Sequence, residues 1–338
     1  MRAARFSAVG QPIVVDDVPR PRPGPGQVLL DVRAAGVCGT ELHFLDGLLA
    51  PAKTPITLGH EVAGTVAEVG EGISGLAAGD RVAVHYFHSC GRCRQCRRGR
   101  DHLCDAPLGF LAFVDDGGFA EQVVVPASAL VAIPAGLSFA EAAPLCCSAT
   151  TALHAARTSG LGLSDTAVVY GCGGVGLALV QVLRAAGVRV LAVSRSPAKL
   201  QLARELGADV AVDAAAGAVA EQVREATGGA GADAVFELVG TADTGAEALR
   251  SLGKGGAVVY VGYSFDSVRL DPLALVVPEQ RVLTSVGNTH AELAEVLELT
   301  ARGLLRPVVH ETAPLDDVGR VLDELRAGRV VGRSVLVP

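Results

Sequence analysis

The sequence predicts an α/β protein made of a β-rich first part followed by a doubly wound parallel sheet. Up to about residue 147, short apolar runs such as Val28–Val32 and Val82–Val84 are separated by clusters of Pro and Gly, which is typical of β-rich structure. From about Ser164, strand-length and helix-length segments alternate, and this alternation predicts a parallel sheet with helices on both faces. A chain of 338 residues is also long for one hydrophobic core, which favours two domains.

The parallel sheet is predicted to begin with a buried strand at Thr166–Gly171, a helix at Gly174–Ala186 and a strand at Val188–Val193. The alternation continues with helices at Pro197–Leu206, Val219–Thr227 and Ala242–Leu252, and with strands at Asp209–Val212, Ala234–Leu238 and Ala257–Gly262. Two amphipathic helices, His290–Arg302 and Leu315–Ala327, and a final strand are expected to return to the first domain. The predicted organisation is therefore a first domain over 1–149, a sheet domain over 150–287 and a return segment over 288–338.

Composition disfavours several classes of function. The formal net charge of -7 argues against a nucleic-acid partner. Glycine or charge interrupts every apolar stretch of about 20 residues, so no transmembrane helix and no membrane partner are expected. The N-terminus lacks the pattern of a secretory signal peptide. Together with eight cysteines, these features predict a cytoplasmic protein that uses its thiols to bind metal.

Four cysteines with the spacing C-x2-C-x2-C-x7-C lie in the run SCGRCRQCRRGRDHLC. Cys90, Cys93, Cys96 and Cys104 can close a tetrahedral zinc site without an open coordination position, so this metal would stabilise a loop. Disulfides and a nucleic-acid-binding zinc ribbon are the alternatives. A reducing compartment argues against disulfides. The neighbouring arginines can offset the negative charge of zinc with four thiolates, and so they do not require a nucleic-acid partner.

The motif YGCGGVG supplies the pattern G-x-G-x-x-G after a predicted strand and at the start of a predicted helix. Gly171 allows a tight turn, Gly173 lets the backbone approach a pyrophosphate, and Gly176 lets the helix pack against the strand. Gly174 and Val175 lie at the helix N-terminus, where unpaired N–H groups would point to the phosphates. The motif predicts a dinucleotide-binding site in a Rossmann domain.

The residue at the end of the second strand distinguishes the two nicotinamide cofactors. An NAD site has Asp or Glu there to bind the ribose hydroxyls, whereas this chain has Ser194 followed by Arg195. No acid repels a 2′-phosphate, and Arg195 can pair with one, so NADP(H) is favoured over NAD(H). Ser194 suits either cofactor, and the alternative for Arg195 is an ordinary solvated loop residue.

A second set of metal-ligand residue types is dispersed along the chain. Cys38 lies in GVCGTELH, His60 in GHEVAGTVAEVG and Cys147 in APLCCSATTA. Two cysteines and one histidine are a known ligand set for catalytic zinc, which leaves one position open for water or substrate. Such an ion polarises an alcohol or carbonyl oxygen as a Lewis acid. If the three residues meet in the fold, they predict hydride transfer between substrate and nicotinamide.

In order and spacing, these motifs resemble those of the zinc-containing medium-chain alcohol dehydrogenases over nearly the whole chain. The shared motifs are GxCGTExH at Gly36–His43, GHExxGxxxxxG at Gly59–Gly70, the four-cysteine lobe, APLxC at Ala143–Cys147, YGxGGVG at Tyr170–Gly176, and GRSVLVP at the C-terminus. The resemblance implies a GroES-like catalytic domain split around a Rossmann domain. It also implies an alcohol dehydrogenase or carbonyl reductase with two zinc ions per chain, a small alcohol, aldehyde or ketone as substrate, and assembly as a homodimer or homotetramer.

The resemblance further implies which residues bind the catalytic zinc. Cys38, His60 and Cys147 would be its ligands, and Glu61 would be an occasional or outer ligand. Cys146 is the competing choice for the third ligand, but the family motif places that ligand directly before the small residues, at Cys147.

Other positions acquire roles through the same resemblance. Thr40 and His43 match the family's proton-relay positions, so a substrate proton would pass through Thr40, the cofactor ribose and His43. Glu41 stands where the family commonly has an Asp that orients the ligand histidine. Arg333 matches a position near the cofactor pyrophosphate.

Two other functions stay open at this point. One is an NADPH-dependent enoyl-thioester reductase on the same fold, although such relatives usually lack catalytic zinc. The other is a cofactor-binding protein without enzymatic activity, which the complete set of ligand and relay residues disfavours. Histidines outside the motifs are expected to be structural or exposed, although His85 and His88 match a segment that lines the substrate pocket in the family.

Overall fold

A computed structural model describes residues 1–338, which divide into two compact units. The first unit comprises Met1–Thr150, Asn288–Gly303 and Pro307–Pro338, and the second comprises Thr151–Gly287 and Leu304–Arg306. The predicted layout placed all of 288–338 with the first domain, whereas Leu304–Arg306 belong to the second unit. Their place is fixed by Gln181, which accepts the Arg306 N–H at 2.8 Å and donates to the Arg306 carbonyl at 3.1 Å.

The strands and helices before residue 150 are β1 (Arg2–Phe6), β2 (Val14–Asp17), β3 (Gln27–Val37), α1 (Gly39–Leu45), β4 (Ile56–Thr57), β5 (Glu61–Val69), β6 (Arg81–Val84), β7 (Phe87–His88), β8 (Gly109–Phe110), β9 (Gln122–Pro126), β10 (Leu130–Ala132) and α2 (Phe139–Pro144). A π-helical turn at Leu145–Ala149 then leads into α3 (Thr150–Ser159), β11 (Thr166–Tyr170), α4 (Gly174–Ala185), β12 (Arg189–Ser194), α5 (Pro197–Glu205), β13 (Val210–Asp213), α6 (Val219–Ala226), β14 (Ala232–Glu237), α7 (Ala242–Arg250), β15 (Leu252–Tyr260), α8 (Pro272–Val276) and β16 (Arg281–Thr284). The chain continues with α9 (His290–Ala301), β17 (Val309–Pro314), α10 (Val318–Arg326) and β18 (Arg333–Val337).

The first unit is built on a seven-stranded sheet with the order β10-β6-β5-β3-β18-β17, in which β9 also pairs with β3. Strand β3 is antiparallel to both β5 and β18, so its last residues lie beside the first residues of these two strands. Gly36 is opposite Glu61, and Val37 is opposite Ser334. The core packed on this sheet includes Phe44 and Phe119, which are fully buried.

The second unit is a six-stranded parallel sheet with the order β13-β12-β11-β14-β15-β16. In chain order this is 3-2-1-4-5-6, the Rossmann order of a doubly wound sheet. Its core consists of apolar strand residues such as Val168, Leu191, Val235 and Val258, all fully buried. The predicted fold class, a β-rich part plus a Rossmann sheet, is therefore confirmed.

Several short elements differ from the prediction. The first unit contains α1 and α2 in a region predicted to be β-rich, and the second contains α8 and β16, which were not predicted. α8 has no buried residue, and β16 is a four-residue edge strand with mostly exposed side chains. Neither element therefore shows the periodic apolar pattern from which helices and strands are predicted. No helix combines the length and the apolar character needed to cross a membrane.

Candidate active site and metal centres

Four potential ligand groups from distant parts of the chain meet at one end of β3. Cys38 directly follows β3, His60 directly precedes β5, and Glu61 begins β5. Because β5 starts where β3 ends, the antiparallel pairing alone brings these side chains to one edge of the sheet. Cys147 joins them from the π-helical turn, and the ligand atoms of all four residues lie within 4.8 Å of one another.

The π-helical turn determines which of two adjacent cysteines reaches this cluster. Cys147 contributes its Sγ atom, whereas the Cys146 thiol points to the Val62 carbonyl at 3.4 Å. The wider turn leaves carbonyls without their α-helical partners, and the Thr150 hydroxyl lies 2.9 Å from the Cys146 carbonyl and 3.2 Å from the Cys147 carbonyl. π-Helical turns inside α-helices frequently occur at functional sites.

Helix α1 holds two members of the cluster through one carboxylate. Cys38 is the N-cap of α1, and its backbone N–H donates to Glu41 Oε2 at 2.8 Å. The other carboxylate oxygen, Oε1, accepts from His60 Nδ1 at 2.9 Å, and Glu41 is fully buried. With Nδ1 paired to this carboxylate, Nε2 is the nitrogen of His60 that would bind a metal. The predicted contact between Glu41 and His60 is therefore present in the structure, despite the longer side chain of Glu41.

Arg333, the first residue of β18, also lies in this cluster. Its side chain is 7% exposed, its Nε donates to Glu61 Oε1 at 3.1 Å, and its Nη2 lies 3.2 Å from Cys38 Sγ. Sequence reasoning placed Arg333 near the cofactor pyrophosphate and missed its contact with the metal-ligand residues. The contact results from the pairing of β18 with β3, which no local sequence motif predicts. Its contact with the cofactor stays a prediction.

The chemistry of this set fits a divalent cation. The hydrogen bond between the two thiols lowers the pKa of Cys38 well below its usual value, and the same bond together with burial raises that of Cys147. Burial raises the pKa of Glu61, whereas Arg333 lowers it, and a cation in the site would further favour the ionised carboxylate. Glu61 Oε2 is buried and has no hydrogen-bond partner. Two thiolates can be ionised side by side in a buried site if a cation lies between them, and two sulfurs with one imidazole nitrogen suit zinc.

The relay candidates lie on one face of α1. Thr40 and His43 are three residues apart and therefore adjacent on the helix surface. The Thr40 hydroxyl is 3.6 Å from Cys38 Sγ. Burial lowers the pKa of the His43 imidazole, so this histidine is neutral at pH 7 and able to accept a proton.

Two other histidines of the first unit have mainly structural contacts. His85 is buried, with Nε2 at 2.9 Å from the Asn288 carbonyl and Nδ1 at 3.1 Å from the Phe87 carbonyl. His88 is buried, and its Nδ1 lies 3.4 Å from Asp115 Oδ2. Their contribution to a substrate pocket stays a prediction. Tyr86, which directly follows His85, packs its ring edge-on against His60 with the ring centroids 5.2 Å apart. Sequence reasoning missed this neighbour of His60.

The four-cysteine lobe forms a second, more exposed cluster. The ligand atoms of Cys90, Cys93, Cys96 and Cys104 lie within 4.8 Å of one another, and the Cys93 sulfur is 3.4 Å from Cys96 and 3.9 Å from Cys104. These separations exceed the S–S bond length of about 2.05 Å. N–H groups of Arg92 and Cys93 lower the pKa of Cys90 to about 6, whereas burial and the neighbouring thiols raise that of Cys96 to about 12. Four sulfurs at this spacing fit a closed tetrahedral zinc site.

The glycine motif of the second unit has the geometry that dinucleotide binding requires. Gly171 directly follows β11 with φ +112°, a conformation that favours glycine, and a Cβ at Gly176 would collide with the Gly171 carbonyl. A Cβ at Gly173 would meet no atom within 4 Å, so the backbone there is open to a ligand. The motif connects β11 to the N-terminus of α4, where backbone N–H groups can bind phosphate.

The end of β12 carries the residues that were predicted to select the cofactor. Ser194 is the last residue of β12, and its Oγ accepts from the Ser196 N–H at 3.2 Å. Arg195 is exposed. No carboxylate occupies the strand end, in agreement with the sequence.

Comparisons with known proteins agree with this fold and these sites. Residues 24–135 match the alcohol dehydrogenase GroES-like domain, and residues 174–302 match the zinc-binding dehydrogenase domain. An NAD-dependent alcohol dehydrogenase of Sulfurisphaera tokodaii is 34% identical, with the whole of both chains covered. A D-arabinose 1-dehydrogenase (NADP(+)) of Saccharolobus solfataricus is 32% identical over 100% of this chain and 97% of the relative.

Solved structures lead to the same class. The alcohol dehydrogenase of Aeropyrum pernix superposes with a TM-score of 0.95 at 34% identity, with the whole of both chains covered. The crystal structure of AibC has a TM-score of 0.92 at 40% identity and covers 100% of this chain and 96% of its own. A GroES-like unit with two clusters of metal-ligand residues and a Rossmann unit define a zinc-binding dehydrogenase. The chain belongs to the zinc-type medium-chain alcohol dehydrogenase family, and it is an oxidoreductase.

Proposed function

We propose that the protein is a zinc-dependent dehydrogenase that transfers a hydride between a small alcohol, or the corresponding aldehyde or ketone, and a nicotinamide cofactor. The observation that carries this proposal is the meeting of Cys38, His60 and Cys147 within 4.8 Å in a buried cluster. Two sulfurs and one imidazole leave a fourth position for substrate, and this distinguishes a catalytic zinc site from the closed four-cysteine lobe.

The proposed mechanism assigns a distinct task to each residue of the cluster. Cys38, His60 and Cys147 would hold the ion, and Glu41 fixes the orientation of His60. Zinc at this place would supply Lewis-acid polarisation of the substrate oxygen, and a nicotinamide in the Rossmann unit would supply the hydride chemistry. Thr40 is placed beside Cys38 to hold the proton of the substrate hydroxyl.

His43 completes the relay on α1. It lies one helical turn after Thr40, and its lowered pKa keeps the imidazole neutral, so that it can take up a proton released during alcohol oxidation.

For the cofactor, we propose NADP(H). Its support is the strand end at Ser194, which lacks a carboxylate, and the exposed guanidinium of Arg195 beside it. The relatives include both NAD-dependent and NADP-dependent enzymes.

The test is a substrate panel read by nicotinamide absorbance, with alcohols plus NADP+ or NAD+, with aldehydes and ketones plus NADPH, and with enoyl-CoA thioesters plus NADPH. We expect turnover of alcohols or carbonyl compounds that stops when a chelator removes metal and returns when zinc is added. Turnover confined to enoyl-CoA would support the reductase alternative. No turnover on the whole panel would support a non-enzymatic role.

Metal analysis tests the proposal independently of substrate. We expect two zinc ions per chain in the purified protein, one for each cysteine-containing cluster. One ion or none under zinc-replete conditions would contradict the proposed site.

We also propose that the chain forms a homodimer through the free edge of its parallel sheet, either alone or as the building block of a homotetramer. Strand β16 pairs only with β15, and the preceding helix α8 exposes an apolar surface. Leu273, Val276 and Val277 are 72%, 71% and 74% exposed. An unpaired strand edge beside exposed apolar side chains is a surface that a second copy can cover symmetrically. Light scattering of a Leu273→Glu/Val277→Glu variant should show loss of the oligomer, whereas Leu163→Glu, at an equally exposed loop position, should retain it.

A further inference from the structure

Arg333 is a buried cation that sequence reasoning did not connect with the metal-ligand residues. Its side chain is 7% exposed, and that of its partner Glu61 is fully buried. The guanidinium bridges two groups, since Nε donates to Glu61 Oε1 at 3.1 Å and Nη2 lies 3.2 Å from Cys38 Sγ. A buried arginine with two anionic neighbours of one site is placed to control that site's geometry.

The Glu61 carboxylate is held by two different constraints. Arg333 fixes Oε1, whereas Oε2 has no hydrogen-bond partner and lies against the backbone of Gly36, where any Cβ would collide with it. Because Glu61 lies within 4.8 Å of the two thiols and the imidazole, a change of its side-chain rotamer would be sufficient to make it a ligand. The site therefore has three ligands in place and a fourth close by.

The charges explain why the guanidinium opposes that change. A divalent ion with two thiolates is neutral, and the pair of Arg333 and Glu61 is neutral as well. If Glu61 moved to the metal, Arg333 would lose its carboxylate partner and keep only its contact with Cys38 Sγ while still buried. Breaking a buried ion pair is strongly unfavourable. The ion pair with Arg333 thus competes with coordination.

We infer that Arg333 is a positioning residue of the metal site, which holds Glu61 away from the ion and keeps the fourth coordination position open. This inference rests on the proposed catalytic zinc site, and it gives Arg333 a task that is independent of any contact with the pyrophosphate. Without the guanidinium, Glu61 would bind the ion and occupy the place that the substrate needs.

The test uses cobalt-substituted enzyme, because the visible absorption of Co2+ depends on the number and type of its ligands. In Arg333→Met we expect a changed cobalt spectrum relative to wild type, since an oxygen ligand is added. The lobe contributes equally to both spectra and cancels in the difference. We also expect slower transfer of the buried metal to a chromophoric chelator, by about tenfold, which is the size of effect usual for residues that contact metal ligands.

The control is the double variant Arg333→Met/Glu61→Gln. It has no carboxylate to bind the ion, so its spectrum and its metal release should match those of Glu61→Gln. Arg333→Lys keeps a charge but cannot reach Glu61 and Cys38 with one planar group, and it should show the same change to a smaller degree. These two variants also keep the buried charges balanced or paired, so they test the inference if Arg333→Met does not fold.

Two results would overturn the inference. One is a cobalt spectrum and a release rate of the Arg333 variants equal to those of wild type, with a raised Kd for NADP+ as the main effect. The other is a change of the same size in Arg333→Met and in the double variant, since Glu61 would then not be its cause. A wild-type protein that takes up no metal at Cys38, His60 and Cys147 would instead contradict the proposed function itself.

Discussion

The two cysteine-containing clusters of this protein are assembled in opposite ways. The lobe takes all four sulfurs from one loop, Cys90–Cys104, and its cysteines are partly exposed. The buried cluster takes its groups from the end of β3, the start of β5 and the π-helical turn, with Arg333 added from a position 295 residues away from Cys38. The lobe has little apolar packing of its own, whereas the buried cluster is held by a paired sheet and a hydrophobic core.

This difference indicates what metal does at each place. In the lobe, a bound metal would substitute for a core, so its loss should be seen as a loss of stability. In the buried cluster, sheet pairing and Glu41 position the ligands before any ion arrives, so loss of metal should be seen as a loss of chemistry. The variants below test whether stability and catalysis separate in this way.

The largest expected effect is that of Cys147→Ser on turnover. Loss of one ligand removes the Lewis acid, and several kcal/mol of transition-state stabilisation correspond to a decrease in kcat/KM of about a thousandfold or more. The thermal midpoint should change little. Cys146→Ser is the matched control, because the neighbouring thiol contacts the Val62 carbonyl and not the cluster. An inactive Cys146→Ser and an active Cys147→Ser would reverse the assignment.

The next largest effect is expected in the lobe. Cys93→Ser should lower the free energy of unfolding by about 3 kcal/mol or more, because it removes a ligand from a site that orders its own loop. Denaturant unfolding with and without a chelator measures this. Wild type should become less stable when the chelator is added, and the variant should not respond. A variant as stable as wild type, with the same response to chelator, would show that metal does not hold the lobe.

Glu41→Gln should affect metal affinity more moderately. The amide can accept from either the Cys38 N–H or His60 Nδ1 but presents an NH2 group to the other, so one ligand loses its orientation. We expect catalytic zinc affinity to fall by about 10- to 100-fold in a chelator competition assay. Glu41→Asp retains the charge and should keep most of the affinity. Equal affinities for Glu41→Gln and wild type would remove the positioning role of this carboxylate.

The smallest effect concerns the other unit. Arg195→Ala should raise the Kd for NADP+ by about tenfold, the value of one charge-assisted hydrogen bond, and leave that for NAD+ nearly unchanged. Arg189→Ala is a suitable control, since Arg189 lies at the opposite end of β12 and donates to the Ala226 carbonyl. Equal losses for both cofactors would exclude a 2′-phosphate contact.

Sequence reasoning works best where structure is local. The spacing of the lobe cysteines and the glycines at 171–176 follows from rules about loops and turns, and the predicted strands and helices of the Rossmann unit were close to the observed ones. Strands such as Thr166–Tyr170 are easy to predict because both faces of the sheet are covered, so that the strand is a nearly continuous apolar run.

What the sequence did not reveal depends on pairing between distant segments. The contact of Arg333 with Glu61 exists because β18 and β5 both flank β3, and no local pattern encodes which strands become neighbours. The resemblance indicated the contact of Glu41 with His60, but its second contact, with the Cys38 N–H, depends on the N-terminal turn of α1, a helix in a region that reads as β-rich. The exposed edge at β16 was missed because its residues show no periodic burial.

The place of β18 between β3 and β17 has a consequence for biosynthesis. Residue 333 is made 295 residues after residue 38, which at ordinary rates of translation is a delay of roughly 15 to 60 s. During that interval β9 can cover Gln27–Asp31, but the end of β3 that pairs with β18, Ala35–Val37, has no permanent neighbour on that side. An open strand edge invites pairing with other nascent chains. We therefore expect yield in a cell to depend on how well ribosome-associated chaperones protect this edge until the last strand emerges.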